Sequence, residues 1–456
     1  MVTLSQKTLN EAIDYDGAPV DTYSPLLTAA HRLGREGMAQ RWAEARRHAR
    51  RDSFTFCPSA NTVTTVPTDW FPRLIPLAHW ERIAEGVAQR LRTLNKFLLD
   101  VYTGTQDIVP EEIIESGRYY APSLTGIEPP GGVFVHIYGI DLVHMGGGQY
   151  AVLEDNLRVP SGIAYQMKAL QLGEECLPEF RSDYSVLPYD IVPAYKRLFA
   201  SVTNVENPNV VLLTDGKCGS AFFEHRYLSD LLGIPLVEGY DLYVDADYNV
   251  WCRTIDGDQR VHVIYRRVED LEMFVPGIIE AYKRDKVALI NAPGAGAADD
   301  KLVFLWVPEM IRAYLEQEPI LYQAKSYHPE CDEDRAFVDE NVDRMVLKTR
   351  DGYGGLGVFI MPDLDPTSRA AARRALAEKP EAFIAQEMLD FSRHLVFSDT
   401  EMEFEENYID LRVYAVQDAL GNVTVFPGGL TRVAKSGTRI TNNSSGGACK
   451  ETWVVC

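Results

Sequence analysis

Seven cysteines in 456 residues (Cys57, Cys176, Cys218, Cys252, Cys331, Cys449 and Cys456) are odd in number and form no Cys-x-x-Cys pair. That usage excludes a disulfide scaffold or a zinc knuckle and fits a reducing compartment. No run approaches 18 apolar residues, so no membrane-spanning helix is expected, and the start MVTLSQKTLNEAIDYDG lacks the charged-then-apolar layout of a secretory leader. A cytoplasmic protein with no membrane partner is the expectation. Basic residues are also short. Against 66 Asp and Glu stand 45 Lys and Arg, a formal charge of -21, which argues against a nucleic-acid partner but leaves room for a local basic pocket around one anion. The nine histidines are scattered and suggest no catalytic triad.

What remains is the composition of an ordinary globular enzyme, with 46% hydrophobic and 10% aromatic residues, and a length that favours two to four domains. Residues 1–130 read as mostly helical. Trp80, Ile83, Val87, Leu91, Leu94, Leu98 and Val101 recur at steps of three and four, drawing one apolar stripe. Arg32 to Arg51 carries seven arginines and two acids, the pattern of a solvated helix face or of a surface for an acidic partner. After Pro129-Pro130-Gly131-Gly132 come two strand-like runs, GVFVHIYGIDLV and QYAVLEDN, separated by Met145-Gly146-Gly147-Gly148, which predicts a hairpin or two adjacent strands. From about residue 186, strand and helix alternate, predicting an open α/β sheet over 186–300. Strands return beyond Met345 with one helix among them. The expected units are 1–130, 131–185, 186–300 and 301–456.

Three groups of residues carry chemistry. In VLKTRDGYGGLGV, residues 346–358, a strand bearing Lys348 enters a loop with Gly352, Gly354, Gly355 and Gly357. Such a loop brings backbone N–H groups close to an anion, and the lysine adds a point charge, although a tight turn has the same composition. In LEDNLRVPSG, Glu154 and Asn156 lie two apart on a strand and share a face; with Asp141 they offer three oxygen donors, a set suited to Mg²⁺ rather than zinc, or else Asp155 and Asn156 cap a turn. Along the last quarter, Gln386-Glu387, Asp410-Leu411-Arg412, Arg432 and Asn442 with Gly446-Gly447 put charge and glycine into strand-like runs, which is costly unless the charges are paired or hold a ligand.

Read in order from Asp300-Lys301 to Gly446-Gly447, these residues resemble the front part of an ATP-grasp ligase of the glutathione synthetase kind. The segment that should follow, a G-x-D strand and then E-x-N with a small-residue turn, stands upstream instead, at Gly139-Ile140-Asp141 and Glu154-Asp155-Asn156. The chain therefore resembles the circularly permuted ATP-grasp family, a group often called glutathionylspermidine synthase-like. The resemblance implies an α/β (α+β) fold: a permuted ATP-grasp, an open α/β domain before it and a helical N-terminal region. It implies ATP and Mg²⁺ as cofactors. Lys301 and Lys348 would hold phosphates beneath Gly352, Gly354, Gly355 and Gly357, with Gln386 and Glu387 at the nucleotide hinge. Asp141, Glu154 and Asn156 would hold Mg²⁺, Arg412 and Arg432 would be catalytic, and Asn442, Gly446 and Gly447 would face the substrate.

The implied reaction joins a carboxylate to an amine through an acyl phosphate, releasing ADP and phosphate. The substrates are small molecules or peptides. Glutathionylspermidine synthesis itself and a non-catalytic ATP-binding partner protein are the alternatives. Substrate contacts are expected from Asp215-Gly216-Lys217, Glu224, Arg226 and Arg266-Arg267, the last two pairing otherwise with Glu269 and Asp270. His136 is placed either at the site or in the core, and His144 stands where the family resemblance leads one to expect an arginine.

Overall fold

The computed structural model describes residues 9–59, 62–217, 219–352, 357–441 and 447–456. A nine-stranded sheet forms its centre. In spatial order run Tyr322–Gln323, Gln149–Asn156, Ile137–Gly146, Glu403–Gln417, Leu430–Val433, Ala448–Val455 and Thr68–Pro76, with Arg393–Ser398 and Val423–Val425 also paired to the long strand Glu403–Gln417. The predicted hairpin is present, closed by Gly147 and Gly148 at φ 56° and 73°. Two successive positive φ values match the twist of the flanking strands and suit glycine at both positions. Ile137–Gly146 pairs antiparallel with Glu403–Gln417, joining segments some 270 residues apart in the chain.

Thr68–Pro76, inside the region read as mostly helical, is the outer strand of this sheet and lies parallel to Ala448–Val455. Its Pro72 and Pro76 lack N–H donors, a deficit an edge strand tolerates. Helix Leu77–Thr103 follows at once and ends at Gly104 in the left-handed region (φ 77°). Its apolar stripe, Trp80 to Val101, is buried in the largest core cluster together with Ile140, Leu142 and Val152 of the hairpin.

The segment read as an open α/β sheet contains four parallel strands in the order Ala288–Ile290, Val263–Arg266, Val210–Leu213 and Leu236–Val237. Helix Phe222–Leu232 stops at Gly233, which is left-handed (φ 67°). A separate antiparallel sheet, Ser326–Tyr327, Phe383–Glu387, Met345–Thr349 and Val358–Ile360, packs Leu347, Phe383 and Ala385 against Val338 and Leu376 of two covering helices. Among the described residues no helix is long and apolar enough to cross a membrane. In the arginine-rich helix Ser24–Arg51, Arg41, Arg46 and Arg51 form ion pairs with Glu179, Asp399 and Asp52.

Among the described residues Arg266 and Arg267 form no ion pair with Glu269 or Asp270, and neither lines the cavity between the central and antiparallel sheets. Both are buried. Arg266 donates to the carbonyls of Asn291 and Val268 at 2.7 and 3.0 Å. Arg267 pairs with the fully buried Glu224 at 2.8 Å and donates to the carbonyl of Pro160 and the hydroxyl of Ser161. The other oxygen of Glu224 accepts from the N–H groups of Gly162 and Ala164 at 2.7 and 3.1 Å, occupying free donors at the start of helix Ile163–Cys176. This pair ties the parallel sheet to the turn behind Asn156. Removing one partner leaves a buried charge uncompensated, so Glu224→Ala should cost about 3–5 kcal/mol in denaturant unfolding, and Glu224→Gln less.

Candidate functional site

The face of the central sheet that carries charge meets the antiparallel sheet across a cavity of about 750 Å³. Register builds one wall. Glu154, Asp141 and Arg412 are direct cross-strand neighbours on three adjacent strands, and Asp410 lies opposite Arg432 one pleat repeat away. Side chains so paired stand side by side on one face. Arg412 forks onto Asp141 with Nε and Nη2 at 2.6 and 2.7 Å from its two oxygens, and Nη2 lies 3.4 Å from Asn156 Oδ1. Arg432 bridges Asp141 at 2.9 Å and Asp410 at 2.5 Å, and Thr441 also donates to Asp410. Burial raises the Asp141 carboxyl, but the two guanidiniums outweigh it and hold the group well below the usual carboxylate range. Gly139 keeps the surface low here, since a Cβ would come within 2.9 Å of Pro160 Cβ.

The hairpin is irregular at the site. Leu142 opposes Val152 and Asp141 opposes Glu154, leaving Leu153 as an extra residue. The carbonyl of this bulge accepts from Lys348 Nζ at 3.1 Å, an instance of a bulge redirecting backbone polarity beside a site. Lys301 Nζ is 3.1 Å from Glu154 Oε1 and donates to the carbonyl of Gly352 at 2.5 Å. Burial pulls the Lys348 ammonium down to about 8; Glu154 opposes the shift and Lys301 reinforces it. On the hinge side, Glu387 accepts from Tyr322 OH at 2.5 Å and from Lys325 N at 2.7 Å, and Gln386 donates to Ser326 Oγ at 2.9 Å.

The cavity thus brings together Asp141, Glu154, Asn156, Lys301, Lys348, Gly352, Gln386, Glu387, Arg412 and Arg432 from the sequence reading. Gly357 lies outside the lining, in the left-handed region (φ 79°), with its carbonyl accepting from Thr349 N. Gly447 does not line the cavity and leads into strand Ala448–Val455. Gly354, Gly355, Asn442 and Gly446 lie outside the described residues. His136 is a core residue: Nδ1 meets the carbonyl of Gln417 at 2.8 Å, and burial lowers its imidazolium to about 4. His144 faces Glu11 at 3.0 Å and stacks on Tyr150, away from the cavity.

Several further residues line the cavity. Arg350, two residues beyond Lys348, shares its Nε–H between the two oxygens of Asp300 at 2.9 and 2.8 Å, while Nη1 donates to Ser116 Oγ and Nη2 to the carbonyl of Ile113. Arg158 pairs with Asp299 and lies 3.6 Å from the centroid of the Tyr119 ring. Arg439 reaches across to Asp363. Arg158 and Arg350 sit within the two motifs already singled out, but Ser116, Arg118 and Tyr119 carry no local signal.

Among the described residues no group of three or more His, Cys, Asp or Glu side chains is arranged for a metal. Asp141, Glu154 and Asn156 nevertheless place side-chain oxygens together on adjacent strands, where Arg412, Arg432 and Lys301 now supply the positive charge they face. That chemistry fits a hard divalent cation.

A family model for circularly permuted ATP-grasp type 2 matches residues 72–434. An uncharacterized protein of Synechocystis is 40% identical over 411 residues, covering 85% of this chain and 84% of that one. A Frankia alni protein named putative glutamate–cysteine ligase is 35% identical over 468 residues; the match takes in 98% of this chain but 53% of that protein, so this chain spans about half of it. Among solved structures, a glutathione synthetase-like effector from Globodera pallida, in its apo form, superposes with a TM-score of 0.61 at 14% identity, covering 91% of this chain and 96% of that one, a likeness of fold. With four-fifths of its length inside the family model and its hairpin strands joined to the C-terminal strands in one sheet, the chain belongs to the circularly permuted ATP-grasp type 2 family.

Proposed function

We propose that the protein is an ATP-dependent carboxylate–amine ligase that works through an acyl phosphate. The observation that carries this reading is the convergence of Lys301, Lys348, Arg412 and Arg432 with three oxygen donors on one cavity. The name of the Frankia relative belongs to the same reaction class.

In this reading Lys301 and Lys348 hold the ATP phosphates, and Glu387 with Gln386 fixes the nucleoside end. Asp141, Glu154 and Asn156 would hold Mg²⁺, which when bound supplies positive charge to the phosphate oxygens. A substrate carboxylate oxygen attacks the γ-phosphorus, the bond to the β-phosphate oxygen breaks, and ADP leaves. Lys348 and the two arginines stabilise the charge on the transferring group, which is electrostatic work by groups already in position. A neutral amine then attacks the acyl carbon; the C–O bond to phosphate breaks, phosphate leaves, and the nitrogen loses its proton as the amide forms. Arg412 and Arg432 are suited to this exchange because Asp141 and Asp410 orient them before substrate arrives.

Purified protein supplied with ATP, Mg²⁺ and a panel of amino acids, short peptides and polyamines should release ADP and phosphate one to one with amide. Lys348→Ala and Arg432→Ala should each lower kcat/KM by about 10²-fold or more. ATP binding with no turnover across the panel, or turnover indifferent to Lys348→Ala, would sink the ligase reading.

A pH dependence follows from Lys348. Its ammonium titrates near 8 in the free protein, and a bound polyphosphate raises that value, so binding takes up a proton above pH 8. ATP affinity should therefore be highest below pH 8 and fall by up to about tenfold per pH unit above it. Calorimetric titrations from pH 7 to 10 measure this, and Lys348→Met should flatten the profile while weakening binding.

A further inference from the structure

Strand alternation splits Glu154-Asp155-Asn156 between two faces. Glu154 and Asn156 line the cavity, whereas Asp155 is buried on the far side against helix Leu77–Thr103. There Arg90 forks onto it, Nε to Oδ1 and Nη2 to Oδ2, both at 2.7 Å, and Tyr138 OH donates to the same carboxylate. Arg90 Nη2 also donates to Gln323 Oε1 at 2.7 Å, and Gln323 Nε2 donates to the carbonyl of Phe304 at 2.7 Å. The guanidinium packs 5.0 Å from the centroid of the Phe304 ring.

Each partner is one step from the site. Asp155 stands between two cavity residues; Gln323 follows Tyr322, which holds Glu387; Phe304 lies three residues after Lys301. Arg90 itself does not line the cavity. A buried ion pair is not required for stability, because apolar residues of similar volume often serve as well or better. A planar fork that fixes three segments at once does supply geometry.

We propose that Arg90 is a positioning residue, which through Asp155 and Gln323 sets Glu154 and Asn156 at the distance from Lys301 and Glu387 that a Mg²⁺-nucleotide requires. The inference rests on the reading of the cavity as a nucleotide site. Groups that orient ligands from behind commonly contribute 10- to 100-fold to metal affinity.

The test uses the full chain, with binding of a non-hydrolysable ATP analogue measured by calorimetry across a Mg²⁺ series, alongside Tm. Arg90→Lys keeps the charge and loses the fork. The double variant Arg90→Met with Asp155→Leu removes both charges and keeps the volume, which preserves the test if the lysine variant does not fold. Either folded variant should need about 10- to 100-fold more Mg²⁺ for half-maximal analogue binding. A folded variant with a lowered Tm and the wild-type Mg²⁺ requirement makes Arg90 a structural residue and overturns the inference alone. Wild-type protein that binds no analogue at any Mg²⁺ concentration overturns the nucleotide reading, and the inference with it.

Discussion

The charge balance around Asp141 is the constraint on which the cavity depends. One buried carboxylate receives two guanidiniums, and Asp410 takes the remaining side of Arg432. Two arginines facing each other in a buried site repel unless an anion lies between them, and two carboxylates there repel unless cations intervene. The strand register solves both problems by placing opposite charges as direct neighbours. A ligand that brings phosphate to the arginines and a cation to the carboxylates exchanges one balanced arrangement for another.

The same principle recurs behind the cavity. Arg73, wholly buried on the outer strand, forks onto Glu11 at 2.6 and 2.8 Å and reaches the carbonyl of Asp410 at 3.3 Å. Arg267 with Glu224 secures the turn after Asn156. The first clamp joins a segment outside the site to a strand that carries a site residue, and the second joins one to the turn that follows such a strand. The N-terminal portion and the parallel sheet are thereby bound into the support of the cavity.

What was legible in the sequence was local. The turn at Gly147-Gly148 and the 3.6-residue stripe of Leu77–Thr103 are dictated by backbone preference and apolar spacing, and they form as read. The glycine loop is legible through its spacing of glycines after a lysine, the E-x-N strand through two oxygen donors on one face, and the C-terminal quarter through charge inside strands. What depends on distant partners was not legible. Arg266 and Arg267 have acids two to four residues ahead, yet the chain turns so that Arg267 meets Glu224, 43 positions away. Asp155, Ser116 and Tyr119 acquire their places only when the helical portion folds against the hairpin. Pro72 and Pro76 masked the outer strand, since proline reads against a strand unless its edge position is known.

The extra residue at Leu153 has a consequence for phase. Val152 and Glu154 are two apart and in a regular strand would face the same way, yet Val152 lies beside Leu142 in the core and Glu154 beside Asp141 in the cavity. The bulge is the point at which the strand changes from a core-building element to a ligand-facing one. A deletion of Leu153 would restore unbroken pairing on paper. It would also remove the carbonyl to which Lys348 Nζ donates, so a more regular sheet would make a poorer site.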